Sequence, residues 1–345
     1  MERVRLGKTS LMVSRVGLGG IPIMRLNKEE AIKVVQKALD LGINFIDTAR
    51  EYKDSEEKIG QAIKGRKREE ILISSKSPAP DKKTFLEHLD LSLEKLGTDY
   101  IDIYHLHIVN SREKMRRVMS EGGAYQGMVE AIRKGKIKHS GFSSHNLSVG
   151  EELMLTNKFE VVQVTLNFVD NESEKKIVPL ARKLDMGFIA MKPLGGGLLE
   201  DAEIAIRYLL QFEGVVPIPG VEKSDEIKQI VQIVENPRPL TSGERVKMER
   251  TRRELGKEFC HRCDYCQPCP QEIPISTVLT LKSMVKRFSL EIILRNEANV
   301  ARARKCTECE ECVERCPYNL SIPQLLKKNI AYFEKLKNEA EVKES

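Results

Sequence analysis

From residue 15 to about residue 235 the chain repeats one pattern eight times: a short apolar or β-branched run, then a longer amphipathic stretch. The short runs fall at 15–18, 44–47, 71–75, 101–107, 137–143, 161–166, 187–191 and 215–219, and each is bounded by turn-forming residues. Helical spacing follows them, as in 28–41, 82–96 and 225–234. Eight strand–helix units over this length predict an α/β protein built on a TIM (β/α)8 barrel. Its helices would lie outside and its chemistry at the C-terminal ends of the strands. A doubly wound open sheet is the alternative, and it lacks the strand-to-helix G-x-G-x-x-G that such sheets use to hold a dinucleotide.

Beyond Pro237 and Pro239 the pattern changes. The expected organisation is a barrel over 1–240, a linker helix over 241–258 and a small α-helical domain over 259–345. Thr241 or Ser242 would cap the linker helix, and an amphipathic helix over 325–336 would close the last domain. That last domain holds all eight cysteines, in two runs. One is Cys260-x2-Cys263-x2-Cys266-x2-Cys269-Pro270, the other Cys306-x2-Cys309-x2-Cys312-x3-Cys316-Pro317. The second has the spacing of a bacterial ferredoxin, and the first differs by one residue before its last cysteine. The domain therefore resembles a two-cluster ferredoxin.

In that arrangement three thiolates at x2 intervals wrap one 4Fe-4S cluster, while the fourth reaches the other cluster. The expected ligand sets are Cys260, Cys263, Cys266 and Cys316 for one cluster, and Cys306, Cys309, Cys312 and Cys269 for the second. Zinc also takes four thiolates, but its structural sites usually present two separated pairs rather than three cysteines in an unbroken series. Disulfides fit a long chain with tightly confined cysteines poorly, and no secretory leader pattern opens the sequence. A reducing, cytoplasmic setting is expected.

Composition bounds the rest. At 345 residues and 41% apolar content the chain can bury one large core and carry a small appended domain. No apolar run approaches the length of a membrane span, so no membrane partner is expected. The formal charge is +6 with every cysteine counted as neutral. Two thiolate-ligated clusters, each carrying about −2, would bring the total to about +2. Nucleic acid is not expected either, because the basic stretch Lys64-Gly65-Arg66-Lys67-Arg68 runs straight into Glu69-Glu70, as a solvated helix end does.

At the ends of the second, third and fourth strands stand Asp47-Thr48-Ala49-Arg50-Glu51-Tyr52, Ser75-Lys76 and His105-Leu106-His107. Residues 47–60 fit D-T-A-x-x-Y-x-x-S-E-x-x-x-G. Together with 6–10, 13–19, 100–104 and 141–144 they resemble the aldo-keto reductase family, in its iron-sulfur branch. The resemblance implies a catalytic tetrad of Asp47, Tyr52, Lys76 and His107. Elementary chemistry makes the same set reasonable. Reducing a carbonyl needs an acid for the developing alkoxide, and a free tyrosine with a pKa near about 10 is a poor donor at neutral pH. An ammonium beside it favours the phenolate and lowers that pKa; Lys76, oriented by Asp47, is the candidate. His107 would position the substrate oxygen by hydrogen bonding. His105 shares a face with His107, and the family register selects His107, with His105 one layer deeper in the core.

The resemblance further implies a nicotinamide dinucleotide across the barrel mouth. Ser143, Ser144 and Gln163 would hold its carboxamide, with Asn167 nearby. Pro193, Leu194 and Gly195 would form a turn toward the diphosphate, and Lys223 would lie near the ribose. Met191 and Lys192 replace the aromatic residue that the family often stacks on the nicotinamide. Lys223 stands among Glu222, Asp225 and Glu226, so NADP and NAD are both open as the cofactor. A flavin is compatible with a barrel, but no flavin fingerprint is present.

The function expected is that of an NAD(P)H-dependent oxidoreductase acting on a small carbonyl or the corresponding alcohol. Its cluster domain would serve as electron conduit, lid or docking module, with an electron-transfer protein as an expected partner. A flavin normally mediates between a two-electron hydride and one-electron clusters. The rival reading is therefore an electron-transfer or redox-sensing module whose barrel binds nucleotide without turning over carbonyl.

Overall fold

The computed structural model describes residues 1–344 apart from 263, 264, 286, 287 and 317. Cys263 and Pro317 thus lie outside the described residues. The chain groups into two compact units, one of 1–195 with 201–240, the other of 196–200 with 241–345.

The first unit opens with an antiparallel hairpin of β1 (Arg3–Arg5) and β2 (Met12–Ser14), which the sequence reading did not include. Eight parallel strands follow. They are β3 (Leu18–Gly19), β4 (Phe45–Asp47), β5 (Leu72–Ser77), β6 (Ile101–Leu106), β7 (Ile137–Ser144), β8 (Val161–Thr165), β9 (Gly187–Met191) and β10 (Val215–Pro217). Each pairs with its neighbour in chain order. Gly17 N donates to Pro217 O at 2.9 Å and Gly19 N to Pro219 O at 2.9 Å, which joins the first strand to the last and closes the barrel. β6 stops at Leu106, so His107 sits just past the strand rather than in it.

The outer helices form where caps and apolar spacing agree. Helix Lys28–Asp40 begins at Asn27, whose side chain accepts from Glu30 N while the Glu30 carboxylate accepts from Asn27 N. Its buried positions Ala31, Val34, Val35 and Ala38 repeat at helical spacing and face the sheet. Helix Lys82–Leu96 is capped by Asp81 and ended by Gly97 at φ +63°, a conformation that suits glycine. Phe85 and Leu89 on this helix are fully buried, each worth about 1.5–3 kcal/mol of transfer energy.

Inside the barrel, side chains stack in layers two residues apart along each strand. The floor is apolar: Phe45, Leu72, Ile103, Val161, Ile189 and Val216 cluster with Leu6 and Val13 of the hairpin region. A Cβ at Gly187 would stand 2.7 Å from Leu6 Cγ, so this glycine is the seat on which the hairpin closes the N-terminal end. One step up the same strands come Asp47, Ser74, His105 and Gln163, then Lys76, His107 and Thr165. Chemistry-bearing residues therefore occupy the open, C-terminal half.

The second unit is helical. Helix Ser242–Gly256 starts at Thr241, which forms a reciprocal cap with Glu244. The final helix runs Ile322–Glu344, longer at both ends than its apolar pattern predicts. Between them a small core forms around Val278, Leu281, Ile293, Val300, Leu326 and Phe333, with Cys266 and Cys316 inside it. Among the described residues no helix is long and apolar enough to cross a membrane.

Candidate active site and cysteine loops

Lys76 Nζ lies 2.6 Å from Asp47 Oδ2 and donates to Thr48 O at 2.6 Å. Burial presses the lysine pKa down, and the charges of Asp47 and Glu56 oppose it. The same Nζ stands 5.4 Å from the ring centroid of the half-buried Tyr52. The Tyr52 and His107 rings meet edge to face, 5.9 Å apart. All four tetrad candidates thus meet at the open end of the barrel. The His107 pKa is lowered mainly by burial, with Glu51 opposing. Glu51 Oε2 approaches His107 Nδ1 to 2.8 Å, and that contact holds the Glu51 carboxyl below its ordinary range. Lys114, on helix Arg112–Met119 above the site, donates to His107 O at 2.9 Å.

The residues around Tyr52 hold it there by local chemistry. Thr48 Oγ1 donates to Ser55 Oγ at 3.0 Å, and Ser55 Oγ donates to Gly20 O at 3.0 Å. Glu56, 1% exposed, pairs with Arg50 and accepts from Ser75 Oγ at 2.6 Å. A Cβ at Gly60 would stand 2.5 Å from Lys95 O, so helix Ser55–Ile63 can lie flat on helix Lys82–Leu96 only with glycine there. The spacing of the 47–60 motif is the spacing of these contacts.

The cofactor candidates divide. Gln163 Nε2 donates to Asp47 Oδ1 at 3.0 Å, while its Oε1 is buried without a partner. An orphaned buried acceptor facing this layer fits a ligand carboxamide, which carries donors. Ser143 Oγ accepts from Ile108 N at 2.9 Å, and Ser143 O accepts from Val109 N at 2.8 Å. Ile108 sits at φ +55°, rare for a β-branched residue, directly after His107. Ser143 therefore holds the turn that aims His107 and keeps its hydroxyl proton for another acceptor. Ser144 Oγ donates to Val109 O at 2.7 Å and accepts from Asn146 N at 3.1 Å, so its hydrogen bonds brace the same loop. Asn167 is likewise engaged, accepting from Val169 N and Asp170 N and donating to Lys192 O. Pro193 and Leu194 lie in a turn closed by Gly195 N donating to Lys192 O at 2.9 Å, with Gly195 at φ +58°. Lys223 precedes helix Ser224–Glu235, and Glu226 accepts from the backbone N–H groups of Glu222 and Lys223.

The sequence reading did not select Ser74, Glu51, Glu56 or Lys114. Ser74 was within reach of it, because it lies two residues before Lys76 on the same inward face.

At their described residues the two cysteine runs share backbone features. Arg262 and Glu308, each the residue before the second cysteine of its run, both have positive φ. So do Glu272 and Asn319, each three residues past the last cysteine. Glu272 N donates to Cys269 O, and Asn319 N to Cys316 O. Ile275 and Ile322 then begin helices. Cys269, Cys306, Cys309 and Cys312 line one cavity together with Cys266. Burial, reinforced by the Cys306, Cys309 and Cys269 thiols, pushes Cys312 up to about 11. Thiols crowded in this way suit a cationic iron core, which stabilises them as thiolates. His261, next to Cys260, stacks on Tyr318, two residues past Cys316, at 3.6 Å and 7°. That stack sets the segment just after Cys316 against the start of the first run. Among the described residues, no three His, Cys, Asp or Glu side chains converge on a single-ion site.

Fold and site together describe a barrel oxidoreductase with a helical cysteine-rich unit. Residues 15–203, over half of the chain, match the Aldo/keto reductase family, and the chain belongs to that family. Residues 259–321 match the 4Fe-4S dicluster domain. The uncharacterized oxidoreductase YrpG of Bacillus subtilis (strain 168) is 29% identical over 228 residues, covering 58% of this chain and 68% of its own. Aldo-keto reductase str7 of Strobilurus tenacellus is 30% identical over 208 residues, covering 54% of this chain and 60% of its own. Among solved structures, the holo form of aldo-keto reductase AKR11C1 from Bacillus halodurans has a TM-score of 0.64 at 25% identity, covering 73% of this chain and 96% of that one. An aldo-keto reductase from Klebsiella pneumoniae in complex with NADPH shares the fold, with a TM-score of 0.62 at 21% identity over 72% of this chain and 94% of that one.

Proposed function

We propose that the barrel reduces a small carbonyl compound to its alcohol, or runs the reverse reaction, with NADP or NAD as cofactor and Tyr52 as the general acid. A reduced nicotinamide bound at the mouth supplies the hydride. Gln163 Oε1 and the Ser143 hydroxyl would hold its carboxamide, and the 193–195 turn and Lys223 would lie along the rest of the dinucleotide. Tyr52 donates a proton to the substrate oxygen, Lys76 beneath its ring stabilises the phenolate left behind, and His107 orients that oxygen. The observation that carries this reading is the sealed Lys76–Asp47 pair under Tyr52. A lysine so buried and so paired is the group that brings a phenol into acid catalysis near neutral pH.

The second unit, in this proposal, binds two 4Fe-4S clusters with crossed fourth ligands: Cys316 joins Cys260, Cys263 and Cys266, and Cys269 joins Cys306, Cys309 and Cys312. The backbone features that the two loops share and the His261–Tyr318 stack support two equivalent sites. One-electron exchange through them would involve an external electron-transfer protein. Anaerobically purified protein tests both halves. NADPH and NADH are offered with a panel of aldehydes and ketones, with Tyr52→Phe alongside, and iron is quantified. Turnover that Tyr52→Phe abolishes, with about eight iron atoms per chain, is the expected result. Unchanged turnover in Tyr52→Phe would refute the acid assignment.

A further inference from the structure

The middle layer of the barrel interior is polar where such layers are ordinarily filled by Val, Ile and Leu. Asp47, Ser74, His105 and Gln163 are each no more than 2% exposed. Unpaired, each would lower stability by about 1–3 kcal/mol, so their hydrogen bonds have to be accounted for. A carboxylate only accepts, so Ser74 Oγ, 2.9 Å from Asp47 Oδ1, directs its proton to Asp47. The hydroxyl is then left with lone pairs alone, so His105 Nε2, 3.0 Å away, is the donor to it, and the Nδ1 lone pair stays buried without a hydrogen-bond partner. Gln163 Nε2 donates to the same Asp47 Oδ1 at 3.0 Å. Oδ1 therefore receives two neutral donors while Oδ2 receives Lys76.

We propose that Ser74 and His105 are positioning residues of the reductase site, a buried donor chain that fixes the Asp47 carboxylate and, through it, holds Lys76 beneath Tyr52. The inference rests on the acid role proposed for Tyr52. The terminal torsion of an aspartate is broad and soft, so one ammonium contact does not define the carboxylate plane. Donors on the opposite oxygen define it. The barrel wall is shaped for the relay as well: a Cβ at Gly141 would stand 2.4 Å from His105 Nδ1, so only glycine leaves room on β7 for the imidazole. Both relay members are neutral, and among the described residues Lys76 is the cation paired with Asp47. Both are fully buried, and their link to the site runs through Asp47.

The test is the pH dependence of kcat for carbonyl reduction in Ser74→Ala and His105→Leu, measured on the full chain beside wild type and Tyr52→Phe. Loosening Lys76 weakens its hold on the phenolate and raises the Tyr52 pKa. The alkaline limb of kcat is therefore expected to move to higher pH, and kcat at neutral pH to fall by about tenfold to a hundredfold, with KM for the dinucleotide little changed. Ser74→Thr and His105→Gln keep a donor at each place and should bring the limb back. A limb that stays in place with kcat near wild type overturns the proposal. If that result accompanies a dead Tyr52→Phe, the acid assignment stands and only the relay fails. If Tyr52→Phe is fully active, the underlying reading fails first. Should Ser74→Ala not accumulate, Ser74→Cys, close in volume and a weaker donor, takes its place with the same displacement expected, and its absence is equally decisive.

Discussion

Lys76 and Asp47 form an ion pair 2.6 Å long with side chains only 2% and 3% exposed, so water screens neither charge. Removing one partner leaves the other buried without its countercharge, which typically costs about 3–5 kcal/mol. Asp47→Asn and Lys76→Met should each lower barrel stability on that scale, while the double variant should lose less than the sum. Chemical denaturation of the four proteins in a double-mutant cycle measures the difference. Additive losses would mean that the pair is not coupled.

The His105 imidazole is held well below the ordinary histidine pKa, first by burial and then by the charge of Lys76. Its folded pKa lies below the unfolded one, so the unfolded chain takes up the proton first as pH falls. Stability is full above about pH 6.5 and declines below it, by up to about 1.4 kcal/mol per pH unit for this one proton. His107, lowered by burial as well, adds a limb of the same sign. Unfolding followed by fluorescence or circular dichroism between neutral pH and pH 5 should show the decline, and His105→Gln should make it shallower. An unchanged slope in that variant would place the acid sensitivity elsewhere.

Gly60 lets one helix lie against another's backbone, since its Cβ would stand 2.5 Å from Lys95 O. Alanine is the better helix former by about 1 kcal/mol. Even so, Gly60→Ala should destabilise by about 1–3 kcal/mol, because the obstacle is backbone and cannot swing aside. Thermal unfolding distinguishes the two effects by sign: a higher midpoint would mean that propensity wins.

Much of this architecture is legible in the chain because a parallel strand buried on both faces reads as a continuous apolar run. Five-residue β9, for instance, coincides with its predicted bounds. The short β1–β2 hairpin has too few residues to show a period, and its role as barrel floor emerges only when Leu6 meets Gly187. The four tetrad candidates stood out in the sequence because the family resemblance and the chemistry of the strand ends select the same residues. The relay proposed beneath them did not: Ser74 belongs to no motif, and His105, read beside His107 as a core residue, meets its partner only when β4, β5 and β6 are laid side by side. Ser143 shows the opposite effect. Its place in the sequence points to a ligand, yet its oxygen accepts from Ile108, whose left-handed turn runs against the preference of a β-branched residue.

The crossing of the cysteine ligands leads to the last prediction. If Cys316 serves the first cluster, Cys316→Ser should lose the same iron as Cys260→Ser, although 56 positions separate them in the sequence. Cys312→Ser should lose the other half, together with Cys269→Ser. Iron content should fall from about eight to about four atoms in each variant. Pairwise double variants settle the grouping: Cys260→Ser with Cys316→Ser should keep about four, and Cys260→Ser with Cys312→Ser should keep almost none. If each run instead supplied all four ligands of its own cluster, Cys312→Ser with Cys316→Ser would be the pair that keeps half. Full removal of iron by a chelator should melt the helical unit, whose core includes Cys266 and Cys316, because so small a core relies on its metal to hold the chain together. Circular dichroism during chelation follows that loss, and a helical signal that survives iron-free would mean that the apolar core folds this unit unaided.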